Sequence, residues 1–563
     1  MKKTKVLHEK HEYSNIREVV EHIGEIYADR YAYSYKIKPS NKEVVKKTYP
    51  ELRDDVRALA TELASMGVNG KHVALVGKLS YHWVLVYYAT LSVGGVLVPL
   101  DKDWLAQDLA DTGAKADVSF VFCDGDIIEK GRAIAEAAGA AEPIALEYGE
   151  GTVDELVSLG RVKFNEDSAP YYNAPIDVDA MSLLVFTSGT TGKGKGVMLS
   201  QKNILSDIAD PLQYIDFTFK SVGVLPPHHT FGSTVNILGH NCIGCEVYIS
   251  SGIRYVQKEL KEQTPGHMVL VPLYLETFYR KIMANIKDQG KEKLIARMIK
   301  ISNLLRKVGI DLRRKLFKAV LAAFGGEVRM VVCGGAPINQ EILSFFDGIG
   351  IEILNGYGIT ECAPIIAVNH SHDVIPGSVG PALDVNEIKI HEPNEDGEGE
   401  IWARGRNVML GYYKDEEATR DAITEDGYFR TGDYGKLGPK GEIYITGRKK
   451  NLIILSNGKN VYPEEIESEF IAVPGVIDVI VYEGQSKRGL MYNTIVCEIY
   501  PDQDYITKNG ITDIESHLRK YVDEYNLRAV PYKKIGLLRV RTEEFPKNTL
   551  RKIMRFKLDM TID

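Results

Sequence analysis

Five short apolar runs alternate with stretches of helical periodicity over the first half of the chain, and this alternation restricts the fold more than any other feature. The runs are 72–76, 96–100, 118–122, 183–187 and 268–273. Runs of that length suit buried strands, and the stretches between them suit crossover helices, so layered α/β architecture is expected. Residues 14–28 put Ile16, Val19, Val20, Ile23, Ile26 and Tyr27 on one helical face. A second helix follows Pro50, with Leu52, Val56, Leu59, Leu63 and Met66 on one side, and Gly67 stops it. From about Gly377 the texture changes to short β-like runs rich in glycine, among them 400–403 and 442–446. After Arg448 a compact tail offers strands at 476–482, 494–500 and 535–540 and a helix at 514–525. A chain of 563 residues exceeds what one hydrophobic core serves, so at least two domains are expected.

Composition narrows the class. Apolar residues are 44% and charged residues 26%, which excludes wholesale disorder. Sixty-nine Lys and Arg against 77 Asp and Glu leave a net charge of −8, so no nucleic-acid partner is expected. Six cysteines in this length cannot be a disulfide framework. Cys242 and Cys245 form a lone CxxC that no second pair or Cys/His cluster completes, and they read as reduced, packed cysteines. The basic N-terminus has no apolar stretch after it, unlike a signal peptide. The uncharged run 83–100 raises the transmembrane question, but Thr90, Ser92, Gly94, Gly95 and Pro99 suit a buried helix turning into a strand. A soluble cytoplasmic protein is expected. Between residues 280 and 318 thirteen Lys or Arg face three acidic residues, with leucines and isoleucines interleaved. This reads first as a solvated helical face. The alternative is a basic amphipathic surface for anionic headgroups, peripheral at the inner membrane surface, or for a polyanionic substrate.

The most informative segment, 183–197, reads LLVFTSGTTGKGKGV: an apolar strand running into glycines, hydroxyls and two lysines. Glycines let the backbone approach a polyanion, hydroxyls and N–H groups donate to phosphate oxygens, and Lys193 and Lys195 supply charge. The P-loop pattern GxxxxGK is met by 189–195, but Gly196 stands where the magnesium-binding hydroxyl belongs.

The hydroxyl-rich start of this loop resembles the signature of the adenylate-forming superfamily, which includes acyl-CoA synthetases, luciferases and peptide-synthetase adenylation domains. That signature is Tyr or Phe followed by TSGTTGxPKG, and 186–196 matches it except for Gly194 in place of proline. Further resemblances follow in order: TYPEL at 48–52, GGVLVPL at 94–100, LPPHHTFG at 225–232, GGAP at 334–337 and NGYGITE at 355–361. YFRTGD at 428–433, GRKKN at 447–451, GKNVYPEEIE at 458–467 and PKNTLRK at 546–552 complete the series. The resemblance implies a large N-terminal domain of layered α/β subdomains plus a β-rich subdomain, residues 1–449, and a small mobile α+β C-terminal domain, residues 450–563. It implies joining of a carboxylate to the α-phosphorus of ATP with loss of pyrophosphate, then attack by a thiol, with Mg²⁺ and cationic groups offsetting like-charge repulsion.

The resemblance also implies roles. Thr187 and Glu361 stand near Mg²⁺, and Ser188, Gly189, Thr190, Thr191, Gly192 and Lys195 hold the departing phosphates. Tyr357, between Gly356 and Gly358 and after Asn355, stacks on adenine opposite Gly335, Ala336 and Pro337. Asp433 takes the ribose, Arg448 the same sugar or the phosphate, Thr360 reaches the α-phosphate, and His229 gates the acid. Lys552 bridges carboxylate and α-phosphate, and Gly458, Lys459 and Asn460 lie on the face that domain rotation brings in for thioester formation. Asn451 replaces the usual charged hinge residue, and Leu550 and Arg551 depart from the pattern before Lys552.

Residues 231–239 hold no carboxylate to pair an amino-acid ammonium, so a plain acid is expected. The basic stretch before Gly334 resembles an insertion of long-chain acyl-CoA synthetases and points to a fatty acid of unresolved length. No carrier segment with an attachment serine follows Lys552, so free CoA is the expected acceptor and a separate acyl-carrier protein the alternative. From other classes, a phosphate-loop NTPase or a non-catalytic acyl-nucleotide-binding protein stay open.

Overall fold

The computed structural model describes residues 6–147, 149, 151–187, 194–455, 460–485, 491–547 and 553–562. The largest sheet has seven strands, in spatial order Gly411–Tyr412, Lys195–Ser200, Met181–Thr187, Val96–Leu100, His72–Val76, Val118–Cys123 and Ile144–Ala145. From Met181–Thr187 outward to Ile144–Ala145 the neighbours run parallel, and Lys195–Ser200 turns back antiparallel on Met181–Thr187. The reversal puts Thr187 and Lys195, the described residues that flank the glycine-rich segment, opposite each other.

Local chemistry explains the crossover helices. Asn15 caps the helix Ile16–Ile26 by accepting from Glu18 N. In TYPEL, Thr48 and Glu51 form a reciprocal capping box and Pro50 sits in the first turn, so this motif is a helix start for Tyr49–Ser65. Every residue of the helix Tyr81–Ser92 is buried. It leaves through Gly94, at φ +72°, where a Cβ would fall 2.3 Å from the Pro175 carbonyl oxygen, and enters the strand Val96–Leu100. No helix among the described residues is long and apolar enough to cross a membrane.

A second sheet orders Val45–Thr48, Tyr31–Tyr35, Glu246–Ile249 and Lys220–Gly223. A third orders His267–Leu270, Met330–Cys333, Glu352–Gly358 and Ile365–Val368, with the first three parallel. The apolar run at 268–273 is therefore a shorter strand than its sequence suggests. Pro272 opens the helix Pro272–Asp288, where its missing N–H goes unneeded. The glycine-rich region forms an antiparallel sheet of Asn386–His391, Gly399–Gly405, Phe429–Leu437 and Ile443–Arg448. The tail packs Val476–Gln485, Met491–Pro501 and Ile535–Val540 with the helices Pro463–Phe470 and Ile514–Arg528. Its buried clusters begin at Ile453 and share no residue with the clusters that end by Ile445. The whole is α/β with a β-rich part and a small α+β tail body.

Candidate active site

Parallel pairing sets Cys333 beside Asn355, so the turns after both strands emerge at one sheet edge, the usual ligand edge of such sheets. Gly335 adopts φ +91°, and Gly335, Ala336 and Pro337 are exposed on the rim. The two glycines around Tyr357 differ. A Cβ on Gly358 would fall 1.9 Å from the Pro364 carbonyl oxygen, whereas one on Gly356 would meet nothing closer than 3.5 Å. Tyr357 donates its hydroxyl to Asp433 Oδ2 at 2.7 Å. Asp433, buried at 3% exposure, lies opposite Arg448 across the antiparallel pair and takes its Nε at 2.8 Å. Burial and the Asp433 carboxylate push the Tyr357 phenol well up, so it stays a donor. The Asn355 carbonyl accepts from Asn369 N at 3.0 Å, which fixes the strand edge.

A second group of the expected site residues lies on the seven-stranded sheet. Thr187 faces Lys195 across the antiparallel pair, and its hydroxyl donates to the Lys195 carbonyl at 3.4 Å. Ser188, Gly189, Thr190, Thr191 and Gly192 lie outside the described residues. Lys195 Nζ stands 4.7 Å from the Tyr412 ring centre, and the Tyr412 hydroxyl donates to Glu361 Oε1 at 2.9 Å. Lys195 and Glu361 are thus joined through Tyr412, a residue that carries no sequence signal beyond a Gly-Tyr-Tyr triplet. Thr360 and Glu361 share the 3₁₀ turn Thr360–Cys362. Two further residues unread from the sequence hold that turn's exit. Asp207 Oδ1 accepts from Ile365 N at 3.0 Å, and Asn407 Nδ2 donates to the Cys362 carbonyl at 3.1 Å and the Ile365 carbonyl at 2.8 Å. Full burial pushes the Asp207 carboxyl well above the usual carboxylate range. The Glu361 carboxylate, oriented by one phenol, offers oxygen donors of the kind that suit a hard cation such as Mg²⁺.

An apolar cavity with about 90 Å³ of water-accessible space opens beside Tyr357. Gly334, Gly335 and Tyr357 are among its lining residues. Its long wall is the π-helix Phe231–Gly239, whose wide turn presents Phe231, Val235 and Gly239 at four-residue spacing. Phe231 Cζ lies 3.6 Å from where a Gly334 Cβ would stand, and His240 lines the cavity two turns further along. No Asp, Glu, Lys or Arg is among the lining residues.

His240 belongs to a cluster that the sequence reading did not anticipate. Cys245 does have histidine neighbours: His240, five residues before it, and His267, carried in by the strand His267–Leu270, so the expectation that no Cys/His cluster forms is corrected. His240 Nδ1 lies 2.7 Å from the Asn236 carbonyl, its Nε2 lies 2.8 Å from His267 Nε2, and His267 Nδ1 lies 2.7 Å from Thr218 Oγ1. This chain meets the hydrogen-bonding valences of both rings without an ion. Burial pushes His240 down to about 4, so it adds a polar yet uncharged group to the cavity lining at neutral pH.

His229 sits two residues before that wall and is not a lining residue; its carbonyl accepts from Gly232 N and Ser233 N at the helix start. Lys552, Gly458 and Lys459 lie outside the described residues, and Asn460 pairs with Ile454 in a short antiparallel strand. Both ends of the segment around Lys552 are anchored. Lys547 pairs with Asp478 at 2.6 Å and Met554 N donates to the Pro546 carbonyl at 2.8 Å.

A profile of the family described as AMP-binding enzyme matches residues 20–413. The chain belongs to that family. It is similar to long-chain-fatty-acid–CoA ligase 5 of Rattus norvegicus, at 28% identity over 82% of this chain and 73% of the relative. It is similar at 27% identity to a chloroplastic long-chain-fatty-acid–acyl-carrier-protein ligase of Arabidopsis thaliana, over 83% of this chain and 74% of that one. Among solved structures, ATP-bound MatB of Rhodopseudomonas palustris superposes with a TM-score of 0.75 at 24% identity, covering 96% of this chain and 97% of the other. The fold is therefore that of the adenylate-forming enzymes.

Proposed function

We propose that this AMP-binding enzyme is an acid–thiol ligase that activates a fatty acid with ATP and passes the acyl group to CoA. The observation that carries the reading is the uncharged apolar cavity ending on the Gly334–Gly335–Tyr357 wall. An alkyl tail buried there holds its carboxylate at the nucleotide side, and an amino-acid ammonium would find no counter-charge.

In the first step a carboxylate oxygen attacks the α-phosphorus, a P–O bond forms, and the bond to pyrophosphate breaks. Tyr357 walls the adenine, and Asp433 accepts from the ribose hydroxyls with Arg448 holding its other oxygen. Thr187, Lys195 and the 188–192 loop receive the pyrophosphate charge, and Thr360 donates to the α-phosphoryl oxygen. Thr187 and Glu361 are the residues that would hold Mg²⁺, which when bound offsets the charge of the phosphates. Lys552 bridges the two reacting anions, and His229 stands at the acid's entry. In the second step a thiol sulfur attacks the acyl carbon; the C–S bond forms, AMP leaves with the former carboxylate oxygen, and the thiol proton goes to solvent. Gly458, Lys459 and Asn460 serve this step after the 450–563 body turns.

The test is pyrophosphate release with Mg-ATP across acids from acetate to long-chain fatty acids, followed by CoA against a holo-carrier protein as acceptor. Acid-dependent pyrophosphate and AMP are expected. ADP and phosphate, or no turnover with any acid, would overturn the reading, and preference for the carrier protein would reassign the acceptor.

A further inference from the structure

The helix Glu292–Lys307 touches the protein with a narrow face. Ile295, Met298 and Ile299 pack against the core, and only Ser302 is fully buried. Leu294 is 52% exposed, Ile301 51%, Leu304 65% and Val308, just past the helix end, 72%. These positions, at intervals of seven, three and four, form one solvent-facing stripe. A lysine precedes three of them: Lys293 before Leu294, Lys300 before Ile301, Lys307 before Val308. The helix therefore carries an exposed aliphatic row beside a cationic row at the same seven-residue spacing, with Arg297 inside the aliphatic one.

The solvated-face reading explains the lysines and leaves the aliphatic row unexplained, because contiguous exposed aliphatics are costly unless something covers them. The cations are also uncommitted. No carboxylate among the described residues forms an ion pair with Lys293, Arg297, Lys300 or Lys307, whereas Arg306 and Arg313 nearby are both tied to Asp347. A second copy of the chain is a poor cover. The helix has one acidic residue, Glu292, and in the surrounding segment Asp288 already pairs with Lys508 and Asp311 with Arg313. Self-docking would desolvate four cations against no counter-charge.

We propose that this helix is a docking surface for an anionic phospholipid bilayer. It lies flat, with Leu294, Ile301, Leu304 and Val308 at the boundary of headgroups and acyl chains and the lysines reaching the phosphates. The inference rests on this surface alone and stands whether or not the cavity takes a fatty acid.

The experiment is sedimentation of the full chain with phosphatidylcholine vesicles, with and without phosphatidylglycerol, at low and high salt. Two triple variants accompany it, Lys293→Gln/Lys300→Gln/Lys307→Gln and Ile301→Ser/Leu304→Ser/Val308→Ser; their thermal midpoints report that they fold. Binding is expected only with phosphatidylglycerol, weakened by salt and reduced about fivefold per lysine, about a hundredfold for the lysine variant. The aliphatic variant should lose the salt-resistant fraction. No phosphatidylglycerol-dependent binding, or binding unchanged in both variants, overturns the proposal. So does concentration-dependent self-association that the aliphatic variant abolishes, which would give the stripe to a second copy.

Discussion

The large body that carries the nucleotide corner and the small body that begins at Ile453 are held by different means. Inside the large body Trp83, Tyr49, Tyr87 and Tyr88 are fully buried in one continuous cluster, and truncating such a side chain costs about 3–5 kcal/mol. Between the bodies, among the described residues, polar contacts stand beside two ring contacts, Tyr434 with Tyr462 and Lys287 over Tyr505. Lys508 meets Asp288 at 2.9 Å with both side chains more than half exposed, and Arg280 donates to the Val476 carbonyl at 3.4 Å. Contacts of that kind contribute about 0–1 kcal/mol each. The difference teaches that the small body could be re-seated without opening either core, which is what the proposed role of Lys552 requires.

The largest expected effect tests that division of labour. Lys552→Ala should lower acid-dependent pyrophosphate exchange by about a hundredfold or more while largely sparing thioester formation from supplied acyl-adenylate. Equal loss of both half-reactions would break the comparison. Asp207→Ala probes the rigid side. With the donor at Ile365 N left unpaired while Asn407 keeps the Cys362 and Ile365 carbonyls, urea unfolding should show a loss of about 1–3 kcal/mol, whereas Asp207→Asn keeps an acceptor and should lose less.

His240→Ala should deepen the cavity, raising the kcat/KM ratio of a longer over a shorter fatty acid by about tenfold. The same region gives a pH test. Burial holds His228 and His240 down to about 4, against about 6.5 in the unfolded chain. The unfolded chain therefore takes up protons first, and stability is lost as pH falls from about 6.5 toward 4. The urea midpoint should drop across that window, less steeply in His240→Ala. Smallest is the seam: Lys508→Gln should change the unfolding free energy by less than about 1 kcal/mol, and a larger loss would mean the bodies are cemented rather than juxtaposed.

Much of the site was legible because its chemistry is local in sequence. Tyr357 between glycines and the paired Asp433 and Arg448 each declare a backbone or charge need within a few residues, whereas 188–193 of the glycine-rich loop lie outside the described residues. Tyr412, Asp207 and Asn407 were not legible. Each acts on a partner roughly forty to two hundred positions away, and a lone tyrosine, aspartate or asparagine looks like any other. The glycines around Tyr357 read as a pair, yet only Gly358 is demanded by a neighbouring backbone.

By itself the sequence determined the layered α/β class, the buried helix at 81–92, the order of the motifs and the excess of cations in 280–318, because periodicity, capping and charge are written in adjacent residues. Tertiary structure alone decided that Tyr412 joins Lys195 to Glu361 and that His240, which lines the apolar cavity, meets His267. It also decided that four aliphatic side chains of a basic helix face outward. Those outcomes depend on which distant strands and helices pack together, and packing is a property of the whole chain that no short window encodes.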